Sequence, residues 1–218
     1  MSNSFTEENY LKAIFKLSKL SDKGVSTNAL ADRMETKASS VTDMVKRLAG
    51  KKLVNYRKYK GVTLSTRGQK IAVDIIRKHR LWEVFLVEHL GFAWDEVHDV
   101  AEQMEHVNSE LLIERLDKFL EHPKYDPHGG PIPDSKGNFP APARVKLDEL
   151  TIGKESMVMG VTEHSDAFLA HLKKIGLELG VAFKLRDRLD FDRSVTLELN
   201  GKQLYVSYEV ARHIFVAY

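Results

Sequence analysis

The segment VHDVAEQMEHV, residues 97–107, carries histidines and acids at a spacing that could bind a metal ion. At about 100° per residue, His98, Glu102, Glu105 and His106 fall within an arc of about 100° on one side of a helix. Apolar residues occupy the opposite side, so the predicted helix has a polar face made of nitrogen and oxygen donors. A solvated face with two incidental histidines is the competing interpretation of this helix taken alone.

The preceding segment RKHRLWEV, residues 77–84, adds a second helix face with metal-binding side chains, because His79 and Glu83 are four residues apart. The two helices together supply three imidazoles and three carboxylates, more than one ion needs and enough for most of two. The sequence contains no cysteine, and such ligands without sulfur suit Mn(II), Fe(II), Zn(II) or Co(II), with the oxygen share favouring Mn(II) or Fe(II). Ion pairing between the helices, with surface histidines, is the alternative.

The charge of the chain is divided unevenly, although its net value is only +2. Residues 1–80 contain 18 lysines and arginines against 7 acids, a net charge of +11, whereas residues 81–218 carry a net charge of −9. A basic first third joined to an acidic remainder indicates that the first part meets a polyanion.

The basic first third has the element order of a winged helix-turn-helix. The predicted helices cover residues 6–20, 27–34 and 39–50, and two β-type runs flank a basic turn at 58–61. Ser4 or Thr6 can cap the first helix, and Ser26 can cap the second. In such a module the second helix of the helix-turn-helix pair enters the major groove and the wing touches the DNA backbone or minor groove.

The third helix and the wing supply the predicted DNA contacts. Small hydroxyl side chains near a helix N-terminus can bond phosphates or base edges, and lysine or arginine can neutralise phosphates. The residues predicted to contact double-stranded DNA are Ser39, Ser40, Thr42, Asp43, Lys46, Arg47, Arg57, Lys58 and Lys60. A three-helix module that contacts only proteins is the alternative, and the basic charge of this segment argues against it.

Proline divides the rest of the chain, because all six prolines lie between residues 123 and 142. Before them, helices are predicted at 66–90, 95–107 and 109–121. After them, β-type runs at 156–161, 182–188, 194–200 and 202–207 accompany one helix at 165–176, and Asn200-Gly201 is a hairpin signal. The predicted fold is mainly α with small β parts: a winged helix-turn-helix over 1–73, a helical metal-binding and dimerisation domain over 74–142, and a small β-barrel over 143–218.

The composition favours a cytoplasmic protein without a membrane partner. No window approaches the run of about 18 apolar residues that a membrane span needs. The first ten residues have neither the basic nor the apolar region of a signal peptide, and the absence of cysteine excludes disulfides.

The chain resembles the diphtheria-toxin-repressor family of metal-dependent transcriptional repressors, including its branch of manganese transport regulators. The resemblance covers about residues 1–140 and rests on the ordered motifs YLKAIFKL, STNALADRM, SSVTDMVKRL, RKHRLWEVFL and VHDVAEQMEHVNSE. The segment HGGPIP, residues 128–133, is similar to the one that closes the family's dimerisation domain. Residues 145–218 resemble the family's C-terminal barrel, which is Src-homology-three-like and of the ferrous-transport-accessory type.

This resemblance implies two metal sites in each subunit. It assigns the functional site to Asn9, Glu102, Glu105 and His106. It assigns a second site to His79, Glu83 and His98, with Asp126, His128, Glu163 and His164 as further candidates. Asn9 stands where the family has Asp or Met, and Lys12 stands where some manganese regulators place a second-metal Glu. Glu102 stands where iron-sensing relatives often carry Cys, which favours Mn(II).

The predicted function is that of a homodimeric repressor of metal-ion uptake genes, with Mn(II) or Fe(II) as corepressor. A cation held between Asn9 and the acid-histidine cluster would fix the DNA-reading module, and in a dimer this sets the separation of two recognition helices. A regulator of the same architecture that senses a small organic ligand is the first alternative. A two-metal hydrolase is the second, although no additional nucleophile or general-base pattern accompanies the cluster.

Overall fold

The structure, a computed structural model, describes residues 4–19, 24–57, 60–94, 96–140, 144–163 and 165–217. It divides into two compact units: the first holds residues 1–79, 105–108 and 133–138, and the second holds the others. No helix within the described ranges combines the length and the apolar character that crossing a bilayer requires.

The first unit contains three helices, a two-stranded hairpin and the start of a long helix. These are α1 (Phe5–Ser18), α2 (Thr27–Arg33), α3 (Ala38–Gly50), β1 (Val54–Arg57), β2 (Gly61–Leu64) and the beginning of α4 (Thr66–Leu90). The two strands pair antiparallel, and Val25 forms a further bridge to Val62. This element order fits the predicted winged helix-turn-helix, with α3 in the position of the predicted recognition helix and β1–β2 in the position of the predicted wing.

Side-chain caps and one apolar core hold these elements together. Ser4 and Glu7 form a reciprocal capping box at the start of α1, and the Ser26 hydroxyl accepts from the backbone N–H of Ala29 at the start of α2. The core packs the inner faces of all three helices and includes Leu11, Ile14, Leu30, Val41, Val45 and Leu48. Because each such side chain contributes about 2 kcal/mol when fully buried, the core stabilises the module that presents α3.

The second unit contains the rest of α4 together with α5 (Val97–Met104) and α6 (Glu110–Phe119). Their shared core includes Leu81, Val84, Leu86, Val97, Ile113 and Leu116. The prediction that the helix of α5 continues to residue 107 is wrong, because α5 ends at Met104 and Glu105 and His106 form a turn. The hydroxyl of Ser109 caps α6 shortly afterwards, so the chain must leave the first helix before that position.

The same unit contains a six-stranded antiparallel sheet with the order β3-β8-β4-β5-β6-β7. Its elements are β3 (Arg144–Lys146), β4 (Glu155–Val161), α7 (Asp166–Ile175), β5 (Ala182–Arg188), β6 (Val195–Leu199), β7 (Lys202–Val206), α8 (Tyr208–Ala211) and β8 (Ile214–Ala217). Asn200 and Gly201 both have positive φ, at 50° and 77°, which confirms the predicted hairpin between β6 and β7. The described strands end at β3 and β7, so closure into a barrel stays a prediction.

Candidate metal centres and DNA-binding surface

The first unit gathers a buried group of charged and polar side chains beside α1. We call this group the first donor cluster; it consists of Glu8, Lys12, His79, Glu105 and His106. Glu105 lies at its centre and is fully buried, with Oε1 2.6 Å from Nζ of Lys12 and Oε2 2.7 Å from Nδ1 of His79. Burial by itself raises the pKa of Glu105, but the bond to His79 and the charge of Lys12 outweigh it and hold this pKa below its usual value.

His106 joins the cluster to the first turn of α1. Its Nδ1 lies 2.6 Å from Oε2 of Glu8, and its ring stacks on Phe5 with centroids 4.5 Å apart. Glu8 was not among the predicted ligands, because its position beside His106 depends on how α1 packs and not on sequence spacing. The predicted ligands Glu105 and His106 are brought together, with His106 Nε2 3.7 Å from Oε1 of Glu105.

Asn9 follows Glu8 on α1 and carries a buried oxygen atom that a cation could bind. Its Oδ1 is buried and has no hydrogen-bond partner among the described residues, and such an orphaned acceptor costs about 1–3 kcal/mol unless something occupies it. Carboxylate, imidazole and amide donors without sulfur suit Mn(II) or Fe(II). Glu102, the fourth predicted ligand, belongs to the other unit, where Oε1 lies 3.7 Å from Nε2 of His98.

The second unit holds a second group of ligand atoms around Glu83 of α4. We call this the second donor cluster; it consists of Glu83, His98, Glu102, Asp126 and His128. Glu83, Asp126 and His128 are all buried, and each offers one ligand atom within 4.8 Å of the other two. His98 Nδ1 lies 3.3 Å and His128 Nδ1 lies 3.4 Å from Oε1 of Glu83. The predicted second-site residues Glu83 and His98 are therefore adjacent, and the weaker candidates Asp126 and His128 lie with them.

Neighbouring groups determine the orientation of the His128 ring and its pKa. Its Nε2 donates to the carbonyl oxygen of Trp94 at 2.6 Å, which directs Nδ1 towards Glu83. Burial by itself lowers the pKa of His128, but the hydrogen bond and charge of Glu83 outweigh it and raise this pKa to about 9. Burial and the charge of Glu83 raise the pKa of Asp126, against the opposing charge of Arg80. Without a bound metal ion, His128 therefore holds a proton at neutral pH.

The loop that carries Asp126 and His128 is fixed by its own backbone and by β4. Oδ1 of Asp126 accepts from the backbone N–H groups of His128 and Gly130 at 2.8 Å and 2.7 Å. The backbone N–H of Val161, the last residue of β4, donates to the His128 carbonyl at 2.7 Å. Glu163 follows two residues later, with Oε1 2.9 Å from the backbone nitrogen of Ser165. His164 lies outside the described residues.

His79 was predicted as a ligand of the second site and also contacts Glu105 of the first donor cluster. It lies four residues before Glu83 on the continuous helix α4, as the predicted second site requires. In the first unit its Nδ1 lies 2.7 Å from Oε2 of Glu105.

The residues predicted to contact DNA lie on α3 and in the wing, β1–β2 with its turn. Ser39, Ser40, Asp43 and Lys46 of α3 are exposed, as are Arg57 and Lys60 of the wing, and Lys58 lies outside the described residues. Thr42 is half-buried, and its hydroxyl donates to the Ala38 carbonyl at 2.9 Å. Arg47 is half exposed, but its Nε donates to Glu7 at 2.9 Å.

A winged helix-turn-helix accompanied by buried histidine-carboxylate clusters defines a metal-responsive DNA-binding regulator. Three family descriptions match successive parts of the chain. They are the iron-dependent repressor N-terminal DNA-binding domain over residues 4–62, the iron-dependent repressor metal-binding and dimerisation domain over 65–134, and the FeoA domain over 145–218.

Known proteins extend this match over the whole chain. The iron-dependent repressor IdeR of Mycobacterium leprae is 36% identical over 152 residues, which are 67% of this chain and 65% of that protein. The diphtheria toxin repressor of Corynebacterium diphtheriae is 27% identical over 96% of this chain and 95% of its own length. A manganese-dependent transcriptional repressor solved in complex with manganese has a TM-score of 0.81 at 33% identity, covering 97% of this chain and 99% of that one. The chain belongs to the diphtheria-toxin-repressor family of metal-dependent, DNA-binding transcriptional repressors.

Proposed function

We propose that this protein represses metal-ion uptake genes as a cytoplasmic homodimer that binds operator DNA when Mn(II) or Fe(II) is present. The carrying observation is that α1 belongs to the DNA-reading module and also supplies Glu8 to the first donor cluster, with the unpartnered Oδ1 of Asn9 on the next residue. A cation bound there would hold α1 to Glu105 and His106. Metal binding energy then becomes DNA affinity, and the coupling is reciprocal. Relatives described as iron-dependent and manganese-dependent repressors support both metals.

We propose two ions per subunit. The first would be held by Asn9, Glu102, Glu105 and His106, with Glu8 as an additional ligand. The second would be held by His79, Glu83 and His98. Asp126 and His128 would be additional ligands, because their ligand atoms lie within 4.8 Å of each other and of Glu83. Glu163 and His164 are further candidates. A bound divalent ion supplies positive charge that holds several anionic and imidazole ligands together.

We propose that the helices of the second unit form the dimer interface. Large apolar side chains stay exposed in the isolated chain on and near α6, namely Leu90, Leu111, Leu112 and Phe119. A two-fold dimer would present two copies of α3 about 34 Å apart, one turn of DNA, to half-sites on one face. The wing and α3 would contact DNA through the predicted residues, with domain boundaries near 73 and 142.

A gel-shift titration tests the proposal. We expect operator DNA to be retarded with Mn(II) or Fe(II) and released by a chelator, and we expect Glu105→Ala to abolish the metal dependence because Glu105 is the centre of the first donor cluster. Retardation that is indifferent to Mn(II), Fe(II) and chelator would contradict the proposal. That outcome would favour the alternative regulator that responds to a small organic ligand.

A further inference from the structure

The first turn of α1 contains a buried carboxylate, Glu7, that belongs to neither donor cluster. Glu7 is only 1% exposed, and its carboxylate accepts from Nε of Arg47 at 2.9 Å and from Nζ of Lys51 at 2.8 Å. It also accepts from the backbone N–H of Ser4 at 2.9 Å, which closes the capping box of α1. Arg47 lies in the last turn of α3 and Lys51 is the C-cap of that helix. A buried acid of α1 is therefore bonded to the end of the recognition helix.

The carboxylate of Glu7 is charged in this setting. Burial by itself raises its pKa, but the bonds from Lys51, Ser4 and Arg47 outweigh it and hold the pKa below its usual value. The two cationic side chains that bind Glu7 are themselves partly exposed to solvent: Arg47 is 54% exposed and Lys51 is 37% exposed. Such charge-assisted bonds are stronger than neutral ones and restrict how far α1 and α3 can move apart.

A different face of α1 carries Glu8 and Lys12, which belong to the first donor cluster. Glu8 lies 2.6 Å from His106, and Lys12 lies 2.6 Å from Glu105. At about 100° per residue, Glu8 and Lys12 point within about 40° of each other, whereas Glu7 points about 100° away from Glu8. One turn of α1 is thus bonded to the recognition helix on one side and to the donor cluster on another.

We propose that Glu7 is a positioning residue that transmits the state of the first donor cluster to the recognition helix. When the cluster fixes Glu8 and its turn of α1, the ion pairs of Glu7 fix the end of α3 as well. This inference rests on the proposed metal-dependent binding of DNA. It also gives Arg47, predicted as a phosphate contact, an intramolecular partner within the module.

The test compares Glu7→Gln with the unaltered chain. The measured quantity is the coupling ratio, defined as DNA affinity in saturating Mn(II) divided by DNA affinity in chelator. We expect Glu7→Gln to lower this ratio about tenfold, because the substitution keeps the size of the side chain and removes the charge that holds both cations. Mn(II) affinity of the free protein should stay unchanged, because Glu7 contacts α3 and not the cluster.

Asp74→Asn is the matched control, since Asp74 is an exposed acid paired with Lys78 on α4 at 2.8 Å. It should leave the coupling ratio unchanged. A merely structural role for Glu7 would lower the melting temperature without changing the ratio. Should Glu7→Gln not fold, Lys51→Gln removes one of the two ion pairs and should give an intermediate ratio.

The outcomes separate this inference from the proposed function. If the unaltered protein binds DNA equally with Mn(II) and with chelator, the proposed function is wrong and Glu7 has no signal to transmit. If the unaltered protein responds to Mn(II) and both variants keep its full coupling ratio, only the role of Glu7 is overturned.

Discussion

At the scale of single residues, fixed charges decide how the donor clusters receive a cation. Lys12 places a buried ammonium 2.6 Å from Glu105, so this carboxylate is already compensated in the metal-free protein. In the second donor cluster, the proton on His128 compensates Glu83. A cation would therefore meet a different obstacle at each cluster, the ammonium of Lys12 at the first and the proton on His128 at the second.

Removing the ammonium of Lys12 should strengthen metal binding and lower the stability of the protein without metal. We expect Lys12→Met to tighten Mn(II) binding at the first donor cluster about tenfold, because repulsion between an ammonium and a divalent ion a few ångströms away is lost. We expect the metal-free protein to lose about 3 kcal/mol of unfolding free energy, because Glu105 keeps a buried charge without Lys12. Calorimetric titration and chemical denaturation in chelator measure the two effects.

Lys70→Met, which removes an exposed lysine of α4, is the control for Lys12→Met and should change neither quantity. Equal Mn(II) affinity in the Lys12 variant and the unaltered protein would contradict the proposed competition at Glu105.

The proton on His128 makes the second donor cluster sensitive to pH. His128 has a pKa of about 9, so it is protonated at pH 7 and must lose a proton before its nitrogen can bind a metal. We expect metal affinity at this cluster to rise with pH up to about 9, and binding at pH 7 to release protons. Calorimetry in two buffers of different ionisation enthalpy counts the protons, with exposed His122→Asn as control. Metal affinity that is flat between pH 6 and pH 9 would rule out this mechanism.

At the scale of elements, the end of β4 fixes the loop of the second donor cluster. Gly160 has a φ of 150°, and a Cβ at this position would collide with the backbone of His128 and Gly129. Only glycine therefore allows the neighbouring N–H of Val161 to reach the His128 carbonyl at 2.7 Å.

Gly160→Ala tests this contact. We expect it to cost about 2 kcal/mol or more of unfolding free energy and to weaken metal binding at the second donor cluster, because the strand or the loop must shift. Binding at the first cluster should be unaffected. Thermal unfolding and metal stoichiometry give the readouts, and Gly50→Ala, where a Cβ meets nothing within 4 Å, is the control. Normal occupancy of both clusters in Gly160→Ala would refute the role assigned to β4.

Elements with strong local signals could be predicted from the sequence. Periodic apolar positions with serine caps predicted α1 and α2, and Asn200-Gly201 predicted the β6–β7 hairpin. β3 and β8 are only three and four residues long, too short for alternation to indicate a strand. The end of α5 at Met104 depends on the capping of the next helix.

Some candidate site residues could likewise be predicted from the sequence, and others could not. Histidines and acids at helical spacing indicated both donor clusters. The sequence could not predict the contacts of Glu8, Glu7 and the Trp94 carbonyl, because these contacts depend on tertiary packing and on the position of the backbone.

At the scale of the whole molecule, charge separates the part that reads DNA from the rest. The first 80 residues carry +11 and the others −9, so the phosphate backbone attracts one end of the chain and repels the other. We therefore expect the preference of DNA for the metal-bound protein to depend on the geometry of α3 and not on attraction alone, because the basic residues are present with or without a cation.

The contact between Trp94 and His128 also gives the protein an internal optical label. The indole and imidazole rings are nearly parallel, with centroids 6.2 Å apart, and Trp94 is one of only two tryptophans in the sequence. Imidazolium and paramagnetic ions both quench indole fluorescence. A change in the proton or metal bound to His128 should therefore change the fluorescence of the unmodified protein, which can be measured without a dye or an engineered reporter.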